Sequence, residues 1–270
     1  VTTTASFIGG KWVMDSQKTT LTKYDGRGNA KTQDIITRIG KADAKGDLPG
    51  ATINPATNMM TAISAADFED SEIQHIENSA FTAKGNARKS VTTTATFDGT
   101  NWVVESERTV TSTYDGRGNA KEQDITVMTG RLDANGNLPT ITPDVQGRLD
   151  LTPPPLFDNS EKQHVTNTGF TAKGNPIKSV TTSAIFTDGK WLLDSEKTVT
   201  SKYDGRGNAR VQDVSIRLSK LTGTGNLPEA DLKAGKIDMS KLMLASFEDS
   251  EKQHIVNTGF TSKGNPLKSV

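Results

Sequence analysis

Three histidines are the residues of this 270-residue chain with the most obvious chemical capacity: His75, His164 and His254, each between a Gln and an Ile or Val. A row of imidazoles could bind transition metals. Copies so far apart in sequence need not meet in space, and the simpler reading is a strand histidine making one structural hydrogen bond. Gly-Arg-Gly-Asn at 26–29, 116–119 and 205–208 has the composition of a phosphate loop. Such a loop needs a helix N-terminus behind it, and strand-like sequence follows here instead. Asp43 to Asp47 and Asp133 to Asn137 have the oxygen ligands of a calcium loop, but Thr222 to Asn226 lacks the carboxylates and no bidentate Glu follows. These read as polar turns. There is no cysteine, which removes thiolate chemistry and disulfides, and no serine stands in a nucleophile elbow. The chain is therefore read as a non-enzyme, with no catalytic, cofactor-binding or metal-binding residue.

Charge and composition exclude further classes. Lys and Arg total 32 against 32 Asp and Glu, interleaved along the chain, so no basic field exists to hold nucleic acid. No apolar run approaches the length of a membrane-spanning helix. Hydrophobic residues are only 33%, so a large buried core is not expected. The first residue is Val and no signal peptide is visible, from which a processed chain or a window of a longer one is expected.

What must position any functional side chain is a threefold repeat. Trp falls at 12, 102 and 191, Tyr at 24, 114 and 203, and His at 75, 164 and 254. The units are 1–90, 91–179 and 180–269, with Val270 in phase to begin a fourth. Each unit holds one cassette twice: an aromatic, polar residues, Arg or Lys, then Gly-Asn. The Tyr form places Tyr24, Asp25, Gly28 and Asn29 beside Tyr114, Asp115, Gly118 and Asn119, and Tyr203, Asp204, Gly207 and Asn208. The Phe form gives Phe81, Gly85 and Asn86, then Phe170, Gly174 and Asn175, then Phe260, Gly264 and Asn265. The most divergent stretches are about 40–66, 130–155 and 219–245.

Local patterns point to strands. Val1, Thr3, Ala5 and Phe7 alternate with small polar residues, and the series recurs from Val91 and Val180. Gly9-Gly10, Asp98-Gly99 and Asp188-Gly189 then mark tight hairpins ahead of Trp12, Trp102 and Trp191. No sustained helical period occurs. The expectation is an all-β chain of tandem hairpins forming an elongated solenoid, spiral or fibre-like sheet, with the divergent stretches as extended loops. The strands are rich in Thr and Ser, so each unit should lean on its neighbours. With no distinct capping unit at either end, unpaired edges should be exposed.

Tyr-Asp-Gly-Arg-Gly-Asn, three times, resembles the core of the Rhs/YD-repeat family, with the Phe cassettes as a degenerate version. The resemblance implies hairpin-turn cassettes in a secreted or surface-exposed protein of bacterial type, whose repeats coil a sheet into a spiral or shell. The units here are longer than a typical YD repeat and nearly identical, and no core-closing or toxin domain is present, which suits a fibre better than a capsule. The expected function is a structural repeat protein building an extracellular filament, tube or shell. Its expected partners are further copies of the repeat, within a longer chain or head to tail between chains. The alternative is an adhesin or binding module that displays the divergent loops, or an aromatic face, to a partner or glycan.

Overall fold

In the computed structural model, residues 1–57, 59–61, 63–152, 154–242, 246–261 and 264–270 are described. Among them the chain is all β apart from a 3-10 turn at Ala65–Asp67 and a 3-10 residue at Ser246. The first repeat supplies β1 (Thr2–Ile8), β2 (Lys11–Tyr24), β3 (Ala30–Gly40), the short β4 (Thr52–Asn54) and β5 (Met59–Thr61), and β6 (Phe68–Phe81). From the second come β7 (Ala87–Phe97), β8 (Trp102–Tyr114), β9 (Ala120–Gly130), β10 (Thr140–Ile141) and β11 (Phe157–Phe170). The third gives β12 (Pro176–Thr187), β13 (Lys190–Tyr203), β14 (Ala209–Ser219), β15 (Leu232–Lys233), β16 (Lys236–Ile237), β17 (Phe247–Phe260) and β18 (Pro266–Ser269).

Every long strand pairs with the next long strand in sequence, in the order β1-β2-β3-β6-β7-β8-β9-β11-β12-β13-β14-β17-β18, with β10 added beside β8. The path does not return on itself, so this is an open antiparallel sheet of 14 strands. Its register repeats as the sequence does. β-Bulges fall at Thr4/Ala5 and Ser183/Ala184, at Lys23/Tyr24 and Lys202/Tyr203, and at Thr37/Arg38 and Ile216/Arg217. An extra residue at the same phase of the first and third copies bends their strands in the same way.

The hairpins have the turn chemistry their residues require. Gly9 and Gly10, like Asp188 and Gly189, have positive φ at both central positions, which matches a type I′ turn to the strand twist. Across these turns Phe and Trp meet directly, with ring centroids 5.3, 5.3 and 5.0 Å apart in the three copies. Their burial is unequal: Trp102 is 8% exposed but Trp12 is 44% exposed, and Tyr24 is 65% exposed. The expected aromatic packing therefore differs between copies, because the same side chain packs only where neighbouring chain covers it.

The contacts divide the chain into two compact units that do not follow the sequence repeats. One is Val1–Ser79 with Ser90–Glu107 and Thr129–Asp158; the other is Ala80–Lys89 with Arg108–Met128 and Asn159–Val270. Residues 129–158, which include the divergent segment of the second repeat, thus fall in the unit that holds most of the first. In that unit Leu149 lies in one core with Ile36, Ile73, Ala95, Trp102 and Val104. In the other, Ile237 of the third divergent segment lies with Ala184 and Leu193.

Each divergent segment leaves its strand in a related way. Pro49, Pro139 and Pro228 each offer a carbonyl to the amide of Met14, Val104 or Leu193 at 2.7, 2.8 and 2.9 Å. The chain then makes a short hairpin: β4 with β5, a bridge from Pro143 to Leu149, and β15 with β16. Short strands and one helical turn within otherwise extended segments are what local composition allows, since no apolar period runs through them.

Candidate interface: stitched turns and hairpin-covered sheet faces

The Tyr cassettes are turns held by their own aspartate. Asp115 Oδ1 accepts the backbone N–H of Arg117 at 2.8 Å and of Asn119 at 2.9 Å, and Asp115 Oδ2 accepts the Asn119 side-chain amide at 2.8 Å. Asp25 and Asp204 repeat the pattern with Asn29 and Asn208. These bonds favour the charged carboxylate and hold all three below the usual carboxylate range: the Asn29 side chain dominates at Asp25, and the Asn119 and Asn208 backbone amides dominate at Asp115 and Asp204. In the Phe cassettes a threonine takes the same place, with Thr82 and Thr171 hydroxyls accepting from the Asn86 and Asn175 amides at 3.1 Å. Asn265 donates to Thr261 likewise; Ser262 and Lys263 of that cassette lie outside the described residues.

Successive turns are also bonded to one another. Asn86 Nδ2 donates to the Gly118 carbonyl at 3.2 Å, and Asn175 Nδ2 donates to the Gly207 carbonyl at 3.1 Å. A Cβ on Gly174 would stand 2.5 Å from Asn119 Oδ1, and one on Gly264 would stand 2.6 Å from Asn208 Oδ1. Glycine is required there twice over, by a φ near +83° and by the approach of the next turn. Tyrosine hydroxyls add a second stitch, Tyr114 to the Ala87 carbonyl at 2.8 Å and Tyr203 to the Pro176 carbonyl at 2.9 Å. Asn78, Asn167 and Asn257 add a third, donating to the carbonyls of Ala30, Ala120 and Ala209 at 2.9–3.0 Å. The cassettes from Phe81 to Asn265 are thus placed together in a row of turns, all within one compact unit. The three stitching asparagines were missed in the sequence, although each lies three residues before a Phe cassette.

The histidines occupy strand positions opposite an aspartate. His75, His164 and His254 Nδ1 lie 2.7, 2.8 and 2.6 Å from Oδ1 of Asp34, Asp124 and Asp213. Strand register makes these pairs, aligning β3 with β6 and β14 with β17. No group of three or more His, Asp or Glu able to hold a metal occurs among the described residues. The calcium-like segment Asp43–Asp47 is another Asp-held turn, with Asp43 Oδ1 accepting the amides of Lys45 at 2.8 Å and Asp47 at 3.0 Å. The same holds at Asp133, and at Thr222 a hydroxyl takes part instead.

Over two of the Asp-His pairs lies a hairpin from a divergent segment. Arg148 lies close enough to Asp34 to feel its charge, while Asp144 binds its guanidinium at 2.6 Å. Leu149, next in sequence, is buried at 7% exposure, and the turn glycine Gly147 packs against Ile36. Lys236 Nζ is 2.6 Å from Asp124 Oδ2, and Ile237, next in sequence, is 6% exposed. Beside it Lys162 donates to Thr126 Oγ1 at 3.2 Å and sits 4.9 Å over the Trp191 ring; burial pulls its pKa down against the Asp124 charge. A cation and then a branched aliphatic residue, set on an Asp-His pair, is the shared geometry.

No family model matches the chain, and no curated protein matches its sequence. No described helix is long and apolar enough to cross a membrane.

Proposed function

We propose that this chain is a structural repeat protein of the Rhs/YD type, whose β-units stack on further copies to build an extracellular filament, tube or shell. The observation that carries this reading is the stitching of turn to turn. Asn86 to Gly118 and Asn175 to Gly207 spend side-chain hydrogen bonds on joining successive hairpins rather than on facing a ligand. The Tyr-Asp cassettes lie at hairpin turns, where the YD-type reading needs them.

The sheet supports growth by addition. Among the described residues β1 pairs only with β2, and β17 pairs along its first nine residues only with β14. Unpaired strand edges are templates for another strand. The alternative, an adhesin displaying its divergent loops, is weakened by the burial of Leu149 and Ile237, which tie two of the hairpins to the sheet. Sedimentation velocity across a hundredfold concentration range tests the proposal. Growth into assemblies larger than a dimer is expected; an invariant monomer that instead binds an immobilised glycan, through the divergent segments, overturns it in favour of the adhesin.

A further inference from the structure

The third Asp-His pair has the architecture of the other two without a hairpin over it. Side-chain exposure is 15% and 5% for His75 and Asp34, and 14% and 17% for His164 and Asp124, but 63% and 57% for His254 and Asp213. An edge effect does not account for Asp213. It lies on β14, which is paired on both sides by β13 and β17, as Asp34 on β3 is paired by β2 and β6. What differs is the cover. A groove of about 310 Å³ opens over Asp213, and no described residue of a divergent segment lines it.

That groove is built like the covered one. Thr198, Asp213 and Lys252 line it where Thr109, Asp124 and Lys162 line the site of about 160 Å³ beneath Lys236 and Ile237. The first repeat has Ile36 and Ile73 where the second has Thr126 and Lys162 and the third Ser215 and Lys252. The third face therefore matches the second in chemistry, including the carboxylate that Lys236 binds.

We infer that the face around Asp213 and His254 is a docking site for a β-hairpin presenting a lysine followed by a branched aliphatic residue, of the Lys236-Ile237 kind, from a further repeat. The lysine binds the Asp213 carboxylate beside His254, and the aliphatic side chain packs on the sheet. The chain shows this occupant once in full, at Asp124, and once in a variant form, Arg148-Leu149, at Asp34. The inference rests on the structural reading above and names how one repeat holds the next: by its face as well as by its edge. The corresponding hairpin of the first repeat, β4–β5, has Met59 and Met60 at the cation and aliphatic positions, so it lacks the charge the site selects.

Two measurements on the full chain test this. In the first, a cyclised peptide of residues 229–239 is titrated into the isotopically labelled protein. Shifts at Thr198, Asp213 and Ser215 are expected, together with several-fold slower carbethoxylation of His254 while His75 and His164 keep their rates. A peptide carrying Lys236→Glu should bind at least about tenfold more weakly, the loss of one close charge pair. Equal effects of both peptides, or shifts confined to the free edge of β17, overturn face docking.

The second removes affinity as a variable: residues 181–270 are appended again after Val270. His254 should fall to the rate of His164, and Lys236→Glu in the appended copy alone should restore it. If His254 stays as reactive as in the single chain, face docking is wrong. Assembly through edges with His254 still reactive would overturn this inference and leave the structural reading standing. Protected His254 in a chain that never assembles would do the reverse.

Discussion

Leu149→Ala offers a sharp test of whether the divergent segments are structural. Leu149 is 7% exposed and sits among Ile36, Ile73 and Trp102, although it belongs to the second repeat and they span the first two. Truncation removes three carbons, about 2.4 kcal/mol at ~0.8 kcal/mol per buried methylene, before any cavity is counted. The rigid sheet beneath can collapse only in part, so the total loss should be about 2.5–4 kcal/mol. Val145 provides the control within the same hairpin: it is 96% exposed, and Val145→Ala should change stability by less than about 0.5 kcal/mol. Urea unfolding followed by tryptophan fluorescence suits the assay, because buried Trp102 reports on this core. A displaced midpoint for Leu149→Ala and an unmoved one for Val145→Ala are expected. Equal, negligible effects would refute the claim that the hairpin is part of the core and would favour its display as a binding loop.

Other consequences are smaller and local. Gly174→Ala should cost about 1–3 kcal/mol, since the added Cβ meets Asn119 Oδ1 at 2.5 Å and φ is positive; thermal unfolding would measure it. Ala80 holds a φ of 53° where Gly169 and Gly259 stand in the other repeats, so Ala80→Gly should raise stability by about 0.5–1 kcal/mol in the same assay. The Asp-held turns should loosen in acid. Asp25, Asp115 and Asp204 lie below their ordinary value of 3.8 when folded, so their contribution is complete above about pH 4 and fades as pH falls through the depressed values. Amide exchange at Asn29, Asn119 and Asn208 should therefore quicken in acid, once the intrinsic rate is corrected for. Asn86 and Asn175, held by threonine, should not follow.

Much of the scaffold was legible because its causes are local. Asp-Gly and Gly-Gly mark hairpins through their own φ preferences, and Tyr-Asp-x-x-Gly-Asn closes its turn with bonds spanning four residues. The Asp-His pairs were not legible, because Asp34 and His75 are 41 residues apart and meet only through strand register. Nor could the sequence show that Leu149 and Ile237 are buried. Each is a single aliphatic residue in a polar, Gly-containing turn, and its burial comes from sheet residues distant in sequence: Ile36 and Ile73 of the first repeat beside Trp102 and Val104 for Leu149, and Ala184 and Leu193 for Ile237. Trp12 and Trp102 show the same limit: similar surroundings in sequence, yet 44% and 8% exposure, because Trp102 sits in a core that Ile36, Ile73 and Leu149 build from two repeats.

Electron microscopy of the purified chain at rising concentration tests the central claim most directly. Units that join through free strand edges should give filaments, tubes or shells built at a spacing set by the repeat. Isolated particles the size of one chain at every concentration would contradict it.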